Sequence, residues 1–286
     1  PIILLGVVSR LTKTPFIGAI SGLGPAFNHI NFLQKLRLKL ILLIYKFIFK
    51  PKSSALICQS EHDKLILLNF KVCAKSQISI IPGSGVDLDK FNPEASKKNE
   101  NTIFMASRIL SDKGVREFCS AAKLMKDYEN SDVKFILAGP IDEFSPTSIS
   151  EQEIRSLCKE CKVEYLGNRS DLNVLLSSAS IFILPSYYSE GVPKVLLEAA
   201  ASGTPVITTD HPGCRDAVID KETGVLVETR SAEAIKIAIT KMLDDQDSLI
   251  EMGKAGRRLA EDCFDEKKVV ETHLKIYHDY TDTVSY

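Results

Sequence analysis

An α/β fold on a parallel, doubly wound sheet is what this 286-residue sequence predicts, and three observations carry the prediction. From Thr102 onward, short apolar runs alternate with longer amphipathic ones. The short runs are continuously apolar rather than alternating, as strands buried on both faces are. Loops bearing Gly or Pro close several of them. A strand–helix series of this kind folds as right-handed βαβ units.

Taken in order, the chain opens on an apolar run, Ile2–Val8. It lacks the basic region and small-residue cleavage site of a signal peptide, so it reads as the interior of a domain. The window Asn31–Lys52 follows, with Lys35, Arg37, Lys39, Lys46, Lys50 and Lys52 around the apolar stretch Leu38–Phe49. That stretch is too short for a bilayer span of about 20 residues. Such a helix either lies at a membrane surface or is a buried helix with solvated ends, and both readings stand. A strand is predicted at Ala55–Gln59, a helix at Glu61–Phe70 and a strand at Ile78–Ile81, leading into Pro82-Gly-Ser-Gly85. Gly, Pro and Lys then cluster up to Asn101, which sets a domain boundary at 98/99.

Beyond it, strands are predicted at Thr102–Ala106, Val133–Ala138, Val163–Leu166, Ile181–Leu184, Pro205–Thr208 and Gly224–Val227. Helices are predicted at Val115–Tyr128, Ser150–Cys161, Leu172–Ser178 and Pro193–Ser202. Three more, Ala232–Leu243, Asp247–Ala260 and Asp265–Tyr280, finish the chain. The domains are thus residues 1–98, 99–264 and a C-terminal helical segment, 265–286.

The net charge of −1 conceals an asymmetry. Residues 1–98 carry 14 Lys and Arg against 5 Asp and Glu, and the remainder carries 22 against 32. A basic half of this kind suits an anionic partner such as a lipid headgroup or a diphosphate, although a dipolar surface without a partner gives the same count. Nucleic acid is not expected. Seven cysteines without a framework point to reduced thiols in a cytoplasmic protein. Cys158 and Cys161 form a C-x-x-C inside a predicted helix, with no second ligand pair for zinc, so no metal site is expected.

Ligands of an open parallel sheet bind outside the carboxyl ends of its strands, so the loops there hold the candidate residues. In Pro185–Pro193, Gly191 permits close backbone approach, and the amides of the following helix suit a phosphate. Glu190 and Glu198 are eight positions apart, a span of about 12 Å if the interval is helical at 1.5 Å per residue. That matches the reach from a sugar past a diphosphate to a ribose, although acids near a helix start are stabilising without any ligand. In the loop after Thr102–Ala106, Arg108 and Lys113 are placed to neutralise a diphosphate, or are simply surface charges. Gly139 after Val133–Ala138, and Asn168 and Arg169 after Val163–Leu166, are further points where a base or phosphate can pass. His29 is a weak acceptor-side candidate; the other four His read as surface residues. No G-x-x-x-x-G-K-[ST], no G-x-G-x-x-G with its acidic partner and no Ser nucleophile elbow occurs, which excludes P-loop, dinucleotide and esterase chemistry.

The stretch E-G-V-P-K-V-L-L-E-A-A-A-S-G-T-P-V-I, Glu190–Ile207, resembles the E-x7-E signature of the family 4 glycosyltransferases with the GT-B fold. Arg108 and Lys113-Gly114 resemble that family's R…KG pair. Ile80–Pro93 resembles its interdomain segment, and Ile20–Phe27 a segment of the bacterial surface-polysaccharide branch. The resemblance covers nearly the whole chain. It implies two Rossmann-like domains facing a cleft, the N-terminal one incomplete here, and transfer of a sugar from a nucleotide sugar, with retention at the anomeric carbon and no required metal or cofactor; a UDP-linked donor is the first expectation, and UDP-N-acetylhexosamines, UDP-galactose and GDP-sugars all stay open. It implies that Glu190 contacts the donor sugar, that Glu198 binds the ribose and that Arg108 and Lys113 hold the leaving diphosphate, helped by the amides of Gly191 and Val192. The implied acceptor is an undecaprenyl-diphosphate-linked sugar or glycan, met at the inner face of the plasma membrane during O-antigen or capsule synthesis. A histidine that many relatives carry near Ser21–Gly22 is absent here, so no catalytic base is assigned. Three alternatives stay open: a transferase of the same family with a soluble acceptor, a non-catalytic nucleotide-sugar-binding or partner module, and an epimerase or phosphorylase on the same fold. The pyridoxal lysine motif of the phosphorylases is not found.

Overall fold

A computed structural model describes residues 2–24, 27, 32–99, 101–127 and 133–282. His29, Asn31, part of the Ile20–Phe27 segment and the end of the helix read to Tyr128 lie outside the described residues. The chain forms two compact units. Unit 1 comprises residues 1–85, Ser189–Val192 and Glu266–Tyr286; unit 2 comprises Val86–Tyr188 and Pro193–Asp265. The first crossing is thus at Gly85–Val86, upstream of the boundary read at 98/99. The reason is local: the Val86 amide donates to the Phe264 carbonyl at 2.8 Å, which ties the chain to unit 2 from that residue on.

Unit 1 contains α1 (Ile2–Thr12), β1 (Phe16–Ile20), α2 (Phe32–Phe49), β2 (Ser54–Cys58), α3 (Glu61–Asn69) and β3 (Ile78–Ile80). The three strands pair in parallel in the order β1-β2-β3. Neither α1 nor β1 was read from the sequence. The run Ile2–Val8 is rich in β-branched residues, which disfavour a helix locally; Gly6 lets α1 pack directly on Ile48 of α2. Helix α2 starts well before the apolar stretch that announced it. Its Leu38, Leu42, Tyr45, Ile48 and Phe49 enter the core against Leu56 and Leu67. The last helix, α10 (Glu266–Asp282), belongs to this unit, with Val269 and Ile276 packed on Ile57 and Ile81.

Unit 2 is a six-stranded, wholly parallel sheet: β4 (Thr102–Ala106), β5 (Lys134–Ala138), β6 (Val163–Tyr165), β7 (Ile181–Leu184), β8 (Val206–Thr209) and β9 (Gly224–Val227). Its order is β6-β5-β4-β7-β8-β9. Every residue of β4, β7 and β8 is buried, which is why these strands read as unbroken apolar runs. The helices are α4 (Val115–Leu124), α5 (Glu151–Cys161), α6 (Leu172–Ser178), α7 (Lys194–Ala201), α8 (Ala232–Asp244) and α9 (Gln246–Leu259). Local chemistry starts several of them: Ser150 and Ser231 accept the amides of Glu153 and Ala234, capping α5 and α8. All seven cysteines are free thiols, including buried Cys158 and Cys161.

Candidate functional site

In unit 2 the winding reverses between β4 and β7. At such a switch point the loops leaving the two strands diverge and open a crevice at the carboxyl edge. Here those loops are Ser107–Gly114 and the one that begins at Pro185, and they are knitted together. The Tyr187 amide donates to the Asp112 carbonyl at 2.9 Å, and Thr147 Oγ1 donates to Asp112 Oδ1 at 2.9 Å. Gly114 turns the chain at φ 81°, with the Pro185 carbonyl where a Cβ would stand. Only glycine takes this conformation without strain at so close an approach.

The junction brings two sequence-predicted cations around one ring. Lys113 Nζ lies 4.9 Å and Arg108 Cζ 5.6 Å from the centroid of Tyr188. Lys113 is buried at 6% exposure, so its ammonium is held rather than waving in solvent. Arg108 Nη1 donates to Asp142 Oδ2 at 2.7 Å, and the side chain stays 44% exposed, with donors left for a ligand. The π-face attracts both cations and so reduces the cost of holding like charges together. Such an arrangement suits a diphosphate, whose charge is spread over two groups. Tyr188 was not singled out from the sequence. Its only signal there was an aromatic pair, Tyr187-Tyr188, between a strand end and Glu190.

Glu198 stands on the second turn of α7, half-buried. Burial pushes its carboxyl above the ordinary range, and Lys194 and Lys90 pull it partly back. No side chain caps the start of α7, which leaves its first amides suited to an anion. Two details of the sequence reading are corrected here. Pro193 has ψ 120° and is the cap, not the first helical residue. The helix begins at Lys194, so only the last part of the Glu190–Glu198 interval is helical and the 12 Å spacing does not apply.

The remaining candidates divide. Gly139 follows β5, next to β4; its amide donates to the Gly167 carbonyl at 2.8 Å and its carbonyl accepts from the Tyr165 hydroxyl at 2.9 Å. Asn168 and Arg169 follow β6, the outer strand, away from the switch point. The Arg169 guanidinium is engaged bidentately by Asp171, at 2.8 and 2.6 Å. Glu190, Gly191 and Val192 belong to unit 1. There Gly191 lies against the Ser21 carbonyl and Gln59 Oε1, leaving no room for a Cβ. The Glu190–Gly191 peptide is thus pressed on the turn after β1. Gln59, just past the end of β2, is a second residue that sequence reasoning missed.

A cavity of about 800 Å³ opens at the other edge of the unit 2 sheet, among Asn101, Ser180, Pro205, Leu249 and Ile250. These residues adjoin the amino ends of β4, β7 and β8, or lie on α9, so the cavity is separate from the crevice described above. Among the described residues, no group of three or more His, Cys, Asp or Glu side chains is arranged to hold a metal ion. No helix among them is long and apolar enough to cross a membrane.

Residues 87–259 match the family model described as Glycosyl transferases group 1. The chain is 30% identical to the N,N'-diacetylbacillosaminyl-diphospho-undecaprenol alpha-1,3-N-acetylgalactosaminyltransferase of Campylobacter jejuni subsp. jejuni serotype O:2, covering 95% of this chain and 72% of that one. It is also 30% identical to the UDP-Gal:alpha-D-GlcNAc-diphosphoundecaprenol alpha-1,3-galactosyltransferase of Escherichia coli, over 73% of this chain and 57% of that one. Among solved structures, Anabaena Alr3699/HepE in complex with UDP superposes with a TM-score of 0.80 at 15% identity, covering 97% of this chain and 76% of that one.

Proposed function

The chain belongs to the group 1 glycosyl transferases, and from that premise we propose that it transfers a sugar from a UDP-linked donor, with retention, to a lipid-linked or polysaccharide acceptor in bacterial surface-glycan synthesis. The observation that carries this reading is the pair Arg108 and Lys113 held about the Tyr188 ring at the switch point of unit 2. Two cations fixed at the carboxyl edge of a parallel sheet suit a diphosphate leaving group, whose negative charge grows as the glycosidic bond breaks. In this reading Glu198 accepts hydrogen bonds from the ribose hydroxyls, as a buried carboxylate beside a helix start can. Glu190 contacts the donor sugar, and the Gly191 and Val192 amides assist. The two cations take the charge-neutralising role a metal would otherwise fill, so no metal is needed.

The acceptor is inferred from the two transferases above, both named for an undecaprenol diphosphate acceptor. A substrate of that kind is held in a bilayer, which sets the working enzyme at the cytoplasmic face of the inner membrane. To test the reading, the chain is incubated with UDP-galactose or UDP-N-acetylgalactosamine and a polyprenyl-diphosphate-linked sugar, and products are resolved by mass spectrometry. The expected product is one sugar heavier, and it disappears in Glu190→Ala while UDP binding persists. Nucleotide binding without any transfer would favour the non-catalytic module instead.

A further inference from the structure

Tyr187, the neighbour of the ring that gathers Arg108 and Lys113, carries a third cation of its own. Arg230 Cζ lies 4.5 Å from the centroid of the Tyr187 ring, the shortest contact of this kind among the described residues. Arg230 follows β9, the edge strand two places from β7, and directly precedes Ser231, the cap of α8. Its backbone is left-handed, at φ 61°. That conformation is costly for a residue with a side chain and persists where the surroundings hold it. Helix α8 lies on α4, the helix that the Lys113 turn leads into; Thr240 Oγ1 there donates to Met125 Sδ, just past the end of α4, at 3.6 Å. A carboxylate also acts on the Tyr187 ring. Burial pushes the Tyr187 hydroxyl above its usual pKa, Glu117 in the first turn of α4 adds to this, and Arg230 pulls it partly back. One oxygen of that carboxylate, Glu117 Oε2, is shut from solvent without a hydrogen-bond partner.

The backbone at Tyr187 is wired to the diphosphate cations. Besides the bond from the Tyr187 amide to the Asp112 carbonyl, Ser186 Oγ donates to the same carbonyl at 3.4 Å and accepts from the Tyr188 amide at 3.2 Å. A displaced Tyr187 therefore moves both the Tyr188 ring and the turn that carries Lys113. The three cations are divided between the two rings: Arg108 and Lys113 at Tyr188, Arg230 at Tyr187. We infer that Arg230 is a positioning residue for the diphosphate site, holding Tyr187 so that the Tyr188 ring and the Lys113 turn stay where the two cations converge. It acts through Tyr187 and does not touch the ligand. The inference rests on the donor-site reading above and deepens it.

The test is a double-mutant cycle read by calorimetric titration with UDP and with uridine. Arg230→Gln should weaken UDP roughly two- to fivefold, the scale of an exposed cation–ring contact, and uridine much less. Arg230→Lys keeps a cation for the ring and should restore most of the loss. Tyr187→Leu should lose at least as much as Arg230→Gln, and adding Arg230→Gln to it should cost nothing further, because the contact through which Arg230 acts is already gone. Arg230 is exposed, so the far-UV circular dichroism of its variants should match the parent. Losses that add in the double variant would show Arg230 meeting the ligand itself and overturn the inference. So would equal losses for UDP and uridine, which indicate a general structural role. A parent that binds UDP no better than Arg230→Gln does leaves the donor site standing and sinks the positioning role; a parent that binds no UDP sinks both.

Discussion

Glu198 bears a cost imposed by its place on α7. A carboxyl whose pKa is raised by folding contributes stability below its unfolded value and loses it as pH rises through the folded value. At neutral pH the ionised group therefore opposes folding. Glu198→Gln is predicted to raise the midpoint of thermal unfolding at pH 7 and to weaken UDP binding about tenfold or more, since hydrogen bonds to a charged group are worth roughly 1.5–3 kcal/mol. In the parent, UDP affinity should fall as pH drops through a range above that of an ordinary glutamate, and the variant should show no such fall. At the opposite end of the ligand, Lys113→Ala should weaken UDP far more than uridine. Tyr188→Leu should do the same without removing a charge, because the ring holds both cations; Tyr188→Phe keeps the face and should restore most of the difference. Calorimetric titrations with the two ligands read all three variants.

Gly114 shows how an element boundary places a side chain. It ends the turn carrying Lys113 and starts α4 in a left-handed conformation against the Pro185 carbonyl. Gly114→Ala should cost about 1–3 kcal/mol in urea unfolding and should also lower UDP affinity, because relief of the overlap moves the Lys113 loop. In unit 1, Ile276→Ala on α10 should cost about 2–5 kcal/mol in the same assay, nearer the lower end because its core cluster is small. The strands of unit 2 were legible because burial on both faces leaves continuous apolar runs such as Ile181–Leu184, bounded by Pro or Gly. Strand β1 was not: Phe16–Ile20 contains Gly18, admitted because Ile2 and Phe49 fill the space a side chain would take, and no local pattern records that. The site divided in the same way. Arg108, Lys113 and Glu198 stood out through residue type and spacing relative to strand ends. Tyr188 did not, since its role exists only where the loops after β4 and β7 meet. The Arg169–Asp171 pair, which engages a cation assigned to the ligand, likewise needed coordinates.

On the scale of the whole molecule, the chain passes between two units, each with its own parallel sheet. The proposed roles divide in the same way: unit 2 holds Arg108, Lys113 and Glu198, and unit 1 holds Glu190. A ligand that binds only the folded state stabilises it by about 2.7 kcal/mol at a hundredfold excess over Kd, so saturating UDP should raise the unfolding midpoint of the parent and do so less in Lys113→Ala. The central claim is that the carboxyl edge of the unit 2 sheet is a nucleotide-diphosphate site. Isothermal calorimetry of the purified chain with UDP and with uridine, in the presence of EDTA, tests it most directly. The account predicts one UDP site that persists without metal, with uridine bound much more weakly. A demonstrably folded chain that bound neither, or bound both equally, would contradict it.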